Sequence, residues 1–119
     1  EQYVVFTTTV RGQVDVALLG VGEDGHIASL FPGRPELQFT APGVVAVTAA
    51  PKPPPERVTM TPGLIAGAQW ACLLFFGSGK RAAYRLFRNA ASTPDSCPAT
   101  LVRDVPHLLV AADREATGM

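Results

Sequence analysis

The chain has 119 residues, 47% of them apolar and 17% charged, so it can bury a core and falls outside the disordered class. Ten Lys and Arg balance ten Asp and Glu. With no basic surplus, nucleic acid is not an expected partner and any cationic site must be local. No apolar stretch is long enough to span a bilayer and no signal-peptide pattern opens the chain, so no membrane partner is expected and the expected location is cytoplasmic.

The elements follow in chain order. The segment from Glu1 to Gly12 carries Thr7-Thr8-Thr9, which favours extended structure, and it opens in mid-pattern, as expected of a fragment of a longer protein. Val14 to Val21 is a nearly continuous apolar run, the pattern of a strand covered on both faces. After a loop from Pro32 to Gly43, Val44 to Ala50 predicts a second strand, closed by the stiff Pro51-Lys52-Pro53-Pro54-Pro55 loop. Thr61 to Ala68 reads as a short helix with Thr61 as its cap and Pro62 in its first position. Trp70 to Phe76 is the third strand, with Trp70, Phe75 and Phe76 expected in the core. A helix from Gly79 to about Ala91 sets Ala82, Ala83, Leu86, Phe87 and Ala90 on one stripe, with Arg81, Arg85 and Arg88 elsewhere on the wheel. His107 to Ala112 is the fourth strand, with His107 structural. This alternation predicts one α/β domain over 1–119, an open and mostly parallel sheet with flanking helices. Cys72 and Cys97 read as free thiols of an intracellular protein.

Chemistry concentrates first in Gly20-Val21-Gly22-Glu23-Asp24-Gly25-His26-Ile27-Ala28-Ser29-Leu30-Phe31-Pro32-Gly33, directly behind the first strand. Loops at the carboxyl ends of parallel strands are where ligands bind in open sheets. Glycine lets the backbone approach a substrate closely, and histidine is the side chain most readily poised as a base near neutral pH. Gly20-x-Gly22-x-x-Gly25 also spells the dinucleotide fingerprint. Two features count against that reading. Pro32 and Gly33 interrupt the crossover helix it needs, and no acid ends the next strand candidate. A metal site is not expected either, because no second histidine or carboxylate has ligand spacing with Asp24 and His26.

Gly77-Ser78-Gly79-Lys80-Arg81 joins the third strand to the amphipathic helix. Backbone N–H groups and the helix dipole favour an anion there. Two cations in a first helical turn are unfavourable by roughly 0.3–1 kcal/mol each unless an anion joins them. The P-loop pattern fails, with Leu74 in place of its first glycine and Arg81 in place of its hydroxyl residue. Arg57, after the proline loop, could grip phosphate oxygens in a bidentate fashion. Loops ending near His26, Arg57 and Lys80 all follow strands of the proposed sheet and would emerge on one edge.

The long first motif resembles the signature of the 6-phosphogluconolactonases. The order of later motifs agrees: Pro51-Lys52-Pro53-Pro54-Pro55-Glu56-Arg57-Val58-Thr59-Met60-Thr61, then Gly77-Ser78-Gly79-Lys80, then Cys97-Pro98-Ala99. Together they span most of the chain from Val14 to Asp113. The related glucosamine-6-phosphate deaminases share Asp-Gly-His-Ile-Ala but follow it with Phe-Asn-Glu-Pro, whereas this chain has Ser29-Leu30-Phe31-Pro32. The resemblance implies a fold of the sugar-phosphate isomerase type. It also implies hydrolysis of 6-phospho-D-glucono-1,5-lactone to 6-phosphogluconate, in the oxidative pentose phosphate pathway, without metal or cofactor.

In that resemblance His26 is the general base and Asp24 orients the loop or the imidazole. Gly22 and Gly25 lie against the substrate, with N–H groups near them as oxyanion donors. Lys80 and Arg57 hold the 6-phosphate. Members of the family are about twice as long, and their first half brings further strands and a Gly/Ser-rich phosphate loop. The fold is therefore expected to be incomplete at its N-terminus, with a sheet edge or face exposed. The missing half or a second chain would be the partner. The alternatives are a truncated fragment that binds sugar phosphate without catalysis and, less favoured, a deaminase-like isomerase.

Overall fold

The computed structural model describes residues 13–119, so the expectation for Glu1 to Gly12 lies outside the described residues. Three parallel strands form the main sheet in the order β1 (Val16–Gly20), β4 (Trp70–Phe75), β5 (His107–Ala112). Val16 pairs with Trp70 and Gly20 with Leu74, while Trp70 pairs with His107 on its other side. All three strands therefore end at the same edge.

The second strand departs from expectation. β2 (Val44–Val47) does not join the main sheet; it pairs antiparallel with β3 (Arg57–Met60), Val44 opposite Met60 and Val47 opposite Arg57. Residues 57–60 carry no turn signal and present alternating side chains, and pairing with β2 makes them a strand. The proline loop is thus the tip of a hairpin, closed by Ala50 N–H donating to Pro55 O at 2.9 Å. The expectation that His26, Arg57 and Lys80 all follow strands of one sheet holds for His26 and Lys80 alone.

The first helix starts at its expected cap, the second is shorter than the expected Gly79 to Ala91, and a third, near the C-terminus, is additional to those expected. α1 (Pro62–Ala66) starts at Thr61, whose hydroxyl accepts from Leu64 N–H at 3.2 Å and from Gly43 N–H at 3.1 Å and donates to Ala41 O at 2.7 Å. α2 (Arg81–Arg88) follows a short 3-10 turn over Ser78–Lys80. Its C-terminal carbonyls of Phe87 and Asn89 accept from the Arg103 guanidinium. α3 (Arg114–Thr117) is capped by Asp113 and closed by Gly118 in the left-handed region.

The core lies on one side of the main sheet. Ala17 and Leu19 of β1 and Ala71, Leu73 and Phe75 of β4 face Ile65 of α1, Ala83 and Phe87 of α2, and Val102 of the segment Pro98–Val102. Among the described residues nothing covers the opposite face: Val16, Leu18, Trp70 and Leu109 are 63%, 68%, 51% and 60% exposed. The apolar run of β1 predicts cover on both faces, and the described residues supply cover on one. Trp70 accordingly leaves the expected core and stacks on His107, ring centroids 4.1 Å apart. Phe75 is buried as expected, whereas Phe76 is exposed.

Candidate active site

The β1 ladder continues one step past the strand, with Val21 N–H donating to Leu74 O at 3.1 Å. The chain then folds onto itself: Gly25 N–H donates to Gly22 O at 3.0 Å and Gly22 N–H to His26 O at 2.9 Å. This closed loop puts the His26 imidazole flat against the Gly22 backbone. A Cβ on residue 22 would fall 2.0 Å from His26 Cε1, so only glycine fits. Phe31 packs against the same ring at 4.4 Å between centroids.

Asp24 fixes the imidazole further. Its Oδ1 accepts from the His26 backbone N–H at 3.1 Å and lies 2.6 Å from His26 Nδ1. The proton on Nδ1 therefore points at Asp24, and Nε2 is left as the proton acceptor. Burial alone would raise the Asp24 carboxyl; hydrogen bonds from the His26 ring and amide, with the ring's charge, outweigh it and hold the carboxyl below the ordinary aspartate value. The His26 and Asp24 side chains remain 17% and 33% exposed, so a small molecule can reach them.

A cleft of about 420 Å³ opens beside the imidazole, lined by Gly20, Gly22, His26, Lys52, Leu74, Phe76 and Lys80 among others. Of the residues singled out from sequence, His26, Gly22 and Lys80 line this cleft, with Asp24 directly behind His26. Gly25 does not line it. At φ +87° it backs onto Cys97, where an added Cβ would stand 2.9 Å from Sγ, and its carbonyl accepts from Ala99 N–H. The Cys97-Pro98-Ala99 motif is thus the floor under the histidine loop. Burial pushes the Cys97 thiol up, although the nearby amides of Ala99 and Thr100 work the other way, so it packs as a neutral group. The amides of Gly22 and Gly25 both close turns of the loop, so of the N–H groups near Gly22 to Gly25 expected as oxyanion donors these two are engaged.

Arg57 is the second correction. Its Nε donates to Pro54 O at 3.0 Å, Nη2 to Lys52 O at 3.0 Å and Pro53 O at 2.9 Å, and Nη1 reaches Ser29 Oγ at 3.5 Å. Most of the guanidinium's five donors are therefore engaged by the proline loop and the histidine loop. The group also rests over the Phe31 ring, 5.3 Å from its centroid. It does not line the cleft and presents no open fork to a phosphate.

The turn after β4 also differs from a bare anion cradle. Gly77 N–H donates to both carboxylate oxygens of Asp113, at 3.1 and 2.9 Å. Glu23 lies against Gly79, with Oε1 3.7 Å from where a Cβ would be. One carboxylate thus takes an amide of this turn and a second lies beside it. Arg81 turns away, its Nε donating to Glu115 O at 3.0 Å, which accounts for a cation in that first turn. Lys80 is what the turn contributes to the cleft.

Lys52 and Phe76 reach the cleft without being expected there from the sequence. A lysine between prolines reads as a solvated loop charge, and only the hairpin brings it back beside His26. Among the described residues no group of three His, Cys, Asp or Glu side chains is placed to hold a metal ion.

Known proteins share this sequence pattern and fold. The family profile described as glucosamine-6-phosphate isomerases/6-phosphogluconolactonase matches residues 3–110. The chain is 41% identical over 96 residues to a 6-phosphogluconolactonase of Borreliella burgdorferi, covering 81% of this chain and 41% of that protein. It is 40% identical over 89 residues to the rat 6-phosphogluconolactonase, covering 75% of this chain and 34% of that one. Among solved structures, the Trypanosoma brucei 6-phosphogluconolactonase superposes with a TM-score of 0.75 at 28% identity, over 89% of this chain and 42% of that chain. A monomeric glucosamine-6-phosphate deaminase gives 0.74 at 26% identity, over 98% and 52%. The chain thus spans less than half the length of the 6-phosphogluconolactonases it matches. It belongs to the glucosamine-6-phosphate isomerase/6-phosphogluconolactonase family.

Proposed function

We infer that this chain carries the catalytic histidine loop of a 6-phosphogluconolactonase, which hydrolyses 6-phospho-D-glucono-1,5-lactone to 6-phosphogluconate. The observation that supports this most is the seating of His26, with Nδ1 on Asp24 and the ring on Gly22 beside a cleft that Lys80 lines. Nε2 takes a proton from water as the water oxygen bonds to the lactone carbonyl carbon. The tetrahedral intermediate then collapses, the bond to the ring oxygen breaks, and the proton on Nε2 passes to that oxygen. Asp24 keeps the imidazole in the tautomer this needs and stabilises its charged form between the two transfers. Lys80 binds the 6-phosphate and so places the carbonyl over His26. The free thiols of Cys72 and Cys97 fit a reducing compartment, and the cytoplasm is the location in this reading.

A second reading is binding without turnover, favoured by the apolar face of the main sheet that the described residues leave uncovered and by the short span of the relatives that the chain covers. The missing half, or another chain, would then be needed for catalysis. Freshly generated lactone and glucosamine-6-phosphate, offered separately to the chain, distinguish these. Ring opening faster than the spontaneous rate, with no ammonia from the amino sugar, supports the lactonase. Ammonia release would replace it with the deaminase. Binding of 6-phosphogluconate with no added rate would leave the binding reading.

A further inference from the structure

Resting on that reading of the substrate, we propose that Lys52 is a second cation for the 6-phosphate and that Arg57 is the positioning residue that presents it. A phosphate monoester carries about −1.5 to −2 charge at pH 7. One ammonium leaves much of that charge uncompensated, and the turn after β4 adds little, because Asp113 takes its Gly77 amide and the Glu23 carboxylate lies beside Gly79. Among the described residues the cleft holds one other cation. Lys52 lines it together with His26 and Lys80, and the described residues include no ion-pair partner for either lysine.

Lys52 sits at the tip of the β2–β3 hairpin, between Pro51 and Pro53, where no strand pairing holds it. Arg57 supplies the hold. Its guanidinium gathers the carbonyls of Lys52, Pro53 and Pro54 at 2.9 to 3.0 Å, and it is anchored to the histidine loop by Phe31 beneath it. Phe31 is the same ring that packs on His26. Loop position and base position are thereby tied through one aromatic side chain. Arg57 serves the phosphate through Lys52, without touching it.

The test is 6-phosphogluconate binding to the full chain by titration calorimetry, across Lys52→Gln, Lys52→Arg, Arg57→Ala and the double variant Lys52→Gln/Arg57→Ala, with thermal unfolding as a fold check. Lys52→Gln is expected to weaken binding about tenfold, and Lys52→Arg to restore most of it, because charge is what matters. Arg57→Ala should cause a similar loss, and the double variant should lose little beyond either single one, since both changes remove one contact. Wild-type affinity in Lys52→Gln would overturn the proposal while leaving the lactonase reading intact. Fully additive losses would overturn the role given to Arg57. A wild-type chain that fails to bind 6-phosphogluconate would overturn the substrate reading itself, and this proposal with it. If Arg57→Ala does not fold, the two Lys52 variants still decide the first claim.

Discussion

Replacing Gly22 by alanine tests the seating of the base without changing a polar group. The new methyl would stand 2.0 Å from His26 Cε1, 2.1 Å from Nδ1 and 2.9 Å from Nε2. Ordinary contact begins near 3.4 Å, so the ring must retreat by about 1.4 Å. Phe31 at 4.4 Å restricts where it can go. A shift of that size is enough to part Nδ1 from Asp24 Oδ1, now 2.6 Å away. Misplacing a catalytic group by about 1 Å can lower the rate about 100-fold, or about 2.7 kcal/mol in the barrier. Lactone hydrolysis, corrected for spontaneous opening, should therefore fall by at least that factor in Gly22→Ala. The hydrogen-bonded Nδ1 proton is expected downfield in proton NMR of the parent chain and should disappear in the variant. A variant that keeps both that resonance and a rate within a factor of about two of the parent would refute the argument.

Both His26 bonds end on Asp24 Oδ1. In Asp24→Asn an amide oxygen there lacks the charge that stabilises the imidazolium, and an amide N–H there favours the wrong tautomer and loses the bond from the His26 backbone, so the rate should drop by about 100-fold or more. Because the Asp24 carboxyl is held below its ordinary value of 3.8, its contribution to stability is full above that pH and is lost as the pH falls further. Acid unfolding of Asp24→Asn should accordingly show a shallower pH dependence below about pH 4 than the parent; identical profiles would contradict the assigned bond. Thr61→Ala removes a helix cap and leaves the Gly43 amide without its acceptor, so it should cost about 1–2 kcal/mol, seen in urea unfolding as a lower midpoint. In Gly63→Ala the better helix propensity of alanine is worth about 1 kcal/mol. The added Cβ would meet Thr40 O at 2.0 Å, backbone that cannot yield easily, so a net loss of Tm is expected and a gain would contradict the packing.

What the sequence made legible is what depends on local chemistry. The histidine loop announces itself by its glycines and by its place behind an apolar run. Thr61 and Pro62 mark the start of α1, and β5 runs over the predicted His107–Ala112. The partnership of Asp24 with His26 was expected as a role and takes the form of two hydrogen bonds. Pairing and facing were harder to read. β2 resembles a buried parallel strand because its valines look the same in either setting, and its partner β3 is four residues long. The run in β4 hides which face is covered: Ala71, Leu73 and Phe75 are in, while Trp70 is out. Arg57 was misread for a physical reason as well. Its acceptors are backbone carbonyls of the proline loop, which every residue carries and no sequence pattern advertises. The same loop geometry brings Lys52 to the cleft, and it follows from the hairpin alone.

His26 is proposed as the base of a lactone hydrolase. The most direct test is the rate of lactone opening by the chain and by His26→Ala, each measured on fresh substrate against the spontaneous reaction. General base catalysis contributes roughly 10²- to 10⁴-fold, so catalysis by the parent chain and a fall of that order in the variant are expected. Equal rates in the two proteins, above the spontaneous reaction, would contradict that role.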